Sequence, residues 1–99
     1  MQRFIAVIAG DSMWPTHPDG DRLLCSSDTT GLTVGSIIVF KHPLRSSLNA
    51  VKRIVSIEGD SIFVQGDNPD PLASDDSHNF GSIQRSEVIG VMLKPVVDD

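Results

Sequence analysis

A mostly β fold with very little helix is what this sequence predicts, and three observations carry the prediction. Short runs rich in Val, Ile and Phe recur along the chain, each bounded by clusters of Gly, Pro, Asp or Ser. No segment keeps the apolar period of about 3.6 residues that marks an amphipathic helix. With 99 residues, 39% of them hydrophobic and 21% charged, the chain has the makings of one soluble domain over residues 1–99, with a modest core and no room for a second.

Taken in order, the first strand is expected over "RFIAVIA" (3–9) and the second over "RLLC" (22–25), after the turn residues "PDGD". "SIIVF" (36–40) is the third and "AVKRIVSIE" (50–58) the fourth. "EGD" (58–60) supplies a tight turn, so the fourth strand forms a hairpin with the fifth, "SIFVQ" (61–65). The sixth is "EVIGVML" (87–93), and the segments "KHPLRSSLN" and "GDNPDPLASDDSHNFG" are loops by composition. Alternation along the fourth strand places Lys52, Ile54 and Ser56 on one face, and Val51, Arg53, Val55 and Ile57 on the other.

Charge and composition exclude several function classes. The net charge is −5, with 13 acidic against 8 basic residues, which argues against a nucleic-acid partner. No basic cluster is present for anionic lipid. The N-terminal apolar run "FIAVIA" (4–9) is far short of the roughly 20 residues a membrane helix needs, so a soluble cytoplasmic protein with no stable membrane anchor is expected. Cys25 is the sole cysteine and reads as a small buried hydrophobe. His17, His42 and His78 share no ligand spacing with it, so neither a metal nor another cofactor is expected. Phe80, beside Gly81, is assigned to the core, and the acidic stretches "DDS" and "VVDD" to solvated surface.

The stretch "GDSMWPT" (10–16) sets the chemical question, because a serine hydroxyl attacks well only when a neighbouring group takes its proton. A histidine would serve, although none of the three lies in a setting built for it. Lys52 is the other candidate. A lysine held among the apolar residues of "AVKRIVSI" is pushed toward neutrality, and lowering its pKa from about 10.4 to 7 or 8 takes roughly 4 kcal/mol of desolvation. The neutral amine would then act on Ser12 as general base.

The order of the motifs says more than any one of them. "GDSMWPT", then "GSIIVFKHP", "VKRIVSIEGD", "GDNPDPLASDDSHNFG" and "EVIGVM" together resemble the successive boxes of the type I signal peptidases, serine-lysine endopeptidases that remove leader peptides. The resemblance spans residues 10–92 and implies a coiled β-sheet catalytic core of the signal-peptidase/LexA-like type. It implies Ser12 as nucleophile and Lys52 as general base, with Ser74 bonding and orienting the amine and Asp76 supporting the loop. The backbone N–H of Ser12 would hold the oxyanion; Gly10 stands where some relatives place a second donor, a serine, and His78 where arginine is usual. Met13, Trp14 and Pro15, around the nucleophile, are assigned to substrate binding, with Pro15 restricting the turn. The short form most resembles the branch that matures nickel-type superoxide dismutase, so the implied partner is the leader-bearing precursor of that enzyme. Two alternatives remain at this level: a self-cleaving repressor-type protease, which shares "GDSM-x-P" and a lysine in "VKR", and a membrane-type signal peptidase core without its anchor.

Overall fold

The computed structural model describes residues 2–45, 47–70 and 72–97. Its strands are β1 (Arg3–Val7), β2 (Arg22–Ser26), β3 (Ile37–Lys41), β4 (Asn49–Glu58), β5 (Ser61–Gln65), β6 (Ile83–Gln84) and β7 (Val88–Pro95). They form one sheet in the order β1-β2-β7-β3-β4-β5-β6, with every neighbouring pair antiparallel. A single helical turn, α1 (Ser77–Phe80), and a 3-10 turn at Arg85–Glu87 are the helical pieces among the described residues. The architecture is therefore the mostly β one that the sequence predicts.

Strand β3 explains how one sheet supports the molecule. Its apolar run is buried on both faces: Ile38 and Phe40 join one core cluster with Ile54, Ile62, Val64 and Ile83, while Ile37 and Val39 join a second with Ile8, Met13, Leu23 and Cys25. A strand covered on both sides reads as a continuous hydrophobic run rather than an alternating one. The two edges are β1 and β6.

All six predicted runs become strands, and β4 and β5 form the expected hairpin, Glu58 pairing with Ser61. Three details differ. Strand β1 stops at Val7 rather than at residue 9, because the backbone turns at Gly10, whose φ of 89° lies in the left-handed region that glycine tolerates. Strand β6 is only two residues long, too short for any alternation, and α1 lies in a segment read as loop because four residues cannot show a helical period. The third is a register shift in β4 between Ile54 and Ser56. The extra residue there reverses the alternation beyond it. Ser56 accordingly pairs with Phe63 and leaves the face of Lys52, whereas Ile57 pairs with Ile62 and packs on the Ile54 core.

Candidate active site

The nucleophile turn begins where β1 ends. Ile8 donates to the carbonyl of Asp21 and accepts from the N–H of Gly20, both at 2.8 Å, and the N–H of Gly10 donates to Asp19 Oδ1 at 2.7 Å. These bonds tie both ends of the turn together. Met13 is 0% exposed, buried among Ile8, Leu23, Cys25, Ile37 and Val39, so the side chain assigned from sequence to substrate is a core anchor for the turn. Ser12 beside it remains partly open.

A second support comes from residues 66–68. The N–H of Asn68 donates to the carbonyl of Ser12 at 2.9 Å, and its Nδ2 donates to the carbonyl of Asp11 at 2.8 Å. Gly66 approaches so closely that a Cβ there would run into the Ser12 carbonyl and the Ser74 side chain. Only glycine fits such a contact. Among the described residues the N–H of Ser12 donates to no acceptor, which leaves it available to bind an oxyanion.

Lys52 is brought to this turn from β4. Its cross-strand partner is Ile38, it lies on the face of Ile54, and it is 6% exposed. Its Nζ lies 2.8 Å from Ser12 Oγ, a hydrogen bond that joins residues 40 apart in sequence. Burial pushes the amine below its usual pKa, partly opposed by the carboxylates of Asp76 and Asp75. Among the described residues no carboxylate forms an ion pair with it. A buried amine whose partner is a hydroxyl has lost much of the reason to stay protonated.

Ser74 and Asp76 lie close by, Ser74 with a partner other than the expected Lys52 amine. The Ser74 hydroxyl donates to Asp76 Oδ2 at 3.3 Å, while among the described residues the Lys52 amine bonds to Ser12 and not to Ser74. Buried Asp76 caps α1 by accepting from the His78 N–H at 3.0 Å, and it also meets His78 Nδ1 at 2.9 Å and the Gly66 N–H at 3.4 Å. Burial raises its pKa, but the bonds from His78 and Gly66 outweigh that and hold it below the ordinary carboxylate value. Trp14 is 50% exposed and lines a different depression, with Asp11, Asn68 and Pro69, and Pro15 is exposed.

Gly66, Asn68, His42 and Asp75 were not singled out from sequence as site residues. "GDN" carried the signal for the first two, as a glycine and an amide directly after a strand. No local signal marks the His42–Asp75 bond, because its ends lie 33 residues apart.

Comparison with known proteins places the chain in a family. Residues 4–69 match the family described as signal peptidase, peptidase S26. The chain is 29% identical over 109 residues to the mitochondrial inner membrane protease subunit 1 of Xenopus tropicalis, covering 87% of this chain and 64% of that protein. It is 39% identical over 82 residues to the mitochondrial ATP-independent inner membrane protease subunit 1b of Arabidopsis thaliana, covering 78% of this chain and 46% of the relative. Over 70 residues it is 36% identical to the signal peptidase I of Buchnera aphidicola, covering 56% of this chain and 23% of that one. The chain thus spans less than two thirds of each relative. The matched region carries both Ser12 and Lys52, and by this match the chain belongs to the signal peptidase family, peptidase S26.

Proposed function

We propose that this chain is the catalytic core of a serine endopeptidase that removes an N-terminal leader from a precursor protein, with Ser12 and Lys52 as its dyad. The observation that carries the reading is the 2.8 Å contact between Ser12 Oγ and the buried Lys52 Nζ. In the reacting state the hydroxyl donates its proton to the neutral amine as Oγ adds to the scissile carbonyl. The Ser12 N–H binds the oxyanion, a contribution of roughly 3 kcal/mol for a well-placed donor. The protonated Lys52 then returns its proton to the leaving amine, and it later deprotonates the water that hydrolyses the acyl-enzyme. Ser74 and Asp76 act at one remove, fixing the loop that carries Gly66 and Asn68 against the turn.

Strand β1 offers the leader a place to lie. Among the described residues it is a sheet edge pairing only with β2, and it runs directly into the nucleophile turn. An extended peptide would pair along it and deliver its scissile bond to Ser12. The precursor we propose is that of a nickel-type superoxide dismutase, on the resemblance of the motifs, with "SIFVQ" alone between the "GD" of the lysine strand and "GDN", to the branch that matures that enzyme. The named relatives, two of them inner membrane proteases, favour a second reading in which the core works at a membrane surface. Among the described residues no helix is long and apolar enough to cross a membrane.

The deciding experiment mixes the purified protein, without detergent, with a nickel superoxide dismutase precursor and separately with a secretory precursor, and reads new N-termini by mass spectrometry. Cleavage of the first supports the maturation reading. Cleavage of the secretory precursor alone, or a requirement for lipid, favours the membrane reading. An acylating probe that fails to modify Ser12 would overturn both.

A further inference from the structure

Beside the Ser12–Lys52 pair lies a cleft of about 220 Å³, and one wall of it carries a charge that the proposed chemistry does not use. That charge is Asp75. Its Oδ2 lies 2.9 Å from Nε2 of His42, and its Oδ1 accepts from Asn79 Nδ2 at 3.2 Å. The buried His42 is itself fixed, since its Nδ1 accepts the Leu44 N–H at 3.1 Å and its ring packs on Phe80 with centroids 4.9 Å apart. Because Nδ1 is an acceptor, the imidazole proton sits on Nε2 and points at Asp75. With both ring nitrogens engaged, His42 is a strut rather than a base for Ser12.

The strut holds a carboxylate whose side chain remains 54% exposed. The bond from His42, foremost, keeps that group below the ordinary carboxylate pKa, so it is an anion throughout the neutral range. Three other charged groups bear on it. Lys52 lies deeper in the same cleft and is pushed toward neutrality, and Asp76 is buried behind it. Arg45 is an exposed cation on the cleft rim, and among the described residues it forms no ion pair with Asp75.

We propose that Asp75, braced by His42 and Asn79, is a specificity-determining residue that receives a basic side chain of the substrate flanking the scissile bond. The inference rests on the peptidase reading above. A fixed carboxylate with unused lone pairs is a strong acceptor for an ammonium or guanidinium group, and fixing it in advance lowers the ordering cost of binding. The chain's net charge of −5 works in the same direction, favouring encounter with basic segments.

The test is competitive cleavage of peptide pairs that differ only by Lys against Glu at each position flanking the cut, read as the ratio of kcat/KM. A ratio cancels any effect a variant has on the chemistry common to both peptides. The wild-type protein should prefer Lys at least tenfold at one position, Asp75→Asn should bring that ratio near one, and Asp75→Lys should invert it. Arg45→Ala, on an exposed turn where folding is not at stake, removes a competing cation and should raise the ratio. A wild-type ratio near one, an unchanged ratio in Asp75→Asn, or an unchanged or lower ratio in Arg45→Ala would overturn the assignment while Ser12 acylation still supports the peptidase reading. Absence of both acylation and cleavage in the wild type would sink the peptidase reading, and this inference with it.

Discussion

Lys52 and Arg53 are neighbours on one strand, and the protein treats them in opposite ways. Arg53, on the opposite face of β4 from Lys52, meets Asp67 through two parallel bonds, Nε to Oδ1 at 2.9 Å and Nη2 to Oδ2 at 2.8 Å, and a third bond reaches the Gly35 carbonyl. Asp67 holds the guanidinium above its usual pKa, and is itself held below the usual carboxylate value by that pairing. Lys52, one residue earlier, points to the other face, where burial lowers its pKa and its neighbour is a hydroxyl. One cation is satisfied, and the other has no ion-pair partner among the described residues. Satisfaction suits a structural tie; deprivation suits a base.

The largest effect should come from removing the deprived side. Ser12→Ala and Lys52→Ala should each lower leader cleavage by on the order of a thousandfold or more, while circular dichroism and melting temperature stay near wild type. Lys52→Arg should be equally inactive, since a guanidinium stays protonated and cannot accept the hydroxyl proton. Near wild-type activity in Lys52→Arg would erase the contrast between the two cations.

Next in size is the contact that positions the serine. Gly66→Ala places a methyl group against the Ser12 carbonyl and the Ser74 side chain, and should reduce kcat tens-fold with a smaller change in KM. Ser74→Ala should cost less than tenfold, because the bond it removes goes to Asp76 rather than to the amine. A Ser74→Ala loss as large as that of Lys52→Ala would show the hydroxyl acting on the base directly.

Breaking the satisfied side should damage stability instead. Arg53→Met should lower the unfolding free energy by about 1 kcal/mol, since the pair is bidentate but the arginine is about a third exposed. The ascending limb of its pH–rate profile should stay where it is. Movement of that limb would mean that Arg53 helps to set the Lys52 pKa.

The smallest effects are the pH dependences, which fall in opposite windows. Asp67 has a folded pKa below 3.8, so its contribution to stability is full above that value and is lost as pH falls through the depressed one. For Lys52 the folded pKa lies below 10.5, so between the two values the unfolded chain holds a proton that the folded chain lacks, and stability rises with pH there. Activity should climb through the same alkaline-side limb as the amine deprotonates. Denaturant titrations across pH should show the alkaline slope vanish in Lys52→Met and the acid loss shrink in Asp67→Asn; an unchanged alkaline slope in Lys52→Met would assign it to another group.

Much of this was legible in the residues themselves. The β class and its six main strands follow from apolar runs set between turn residues, because strand formation is largely a matter of local pattern. The hairpin at Glu58–Ser61 follows from two turn residues between two such runs. The opposite facing of Lys52 and Arg53 follows from the two-residue period of any strand. Tertiary structure decided what no period encodes. The register shift after Ile54 moved Ser56 and Ile57 to the faces opposite those that alternation assigns, because a bulge depends on the partner strand. Met13 became core rather than cleft because the turn needs an anchor beneath it. The approach of Lys52 to Ser12, the wedge of Gly66 and the His42–Asp75 strut join residues far apart in sequence. Such contacts exist only once the sheet has brought β1, β4 and the loop after β5 together, since each side chain's burial and partner are set by its neighbours in space.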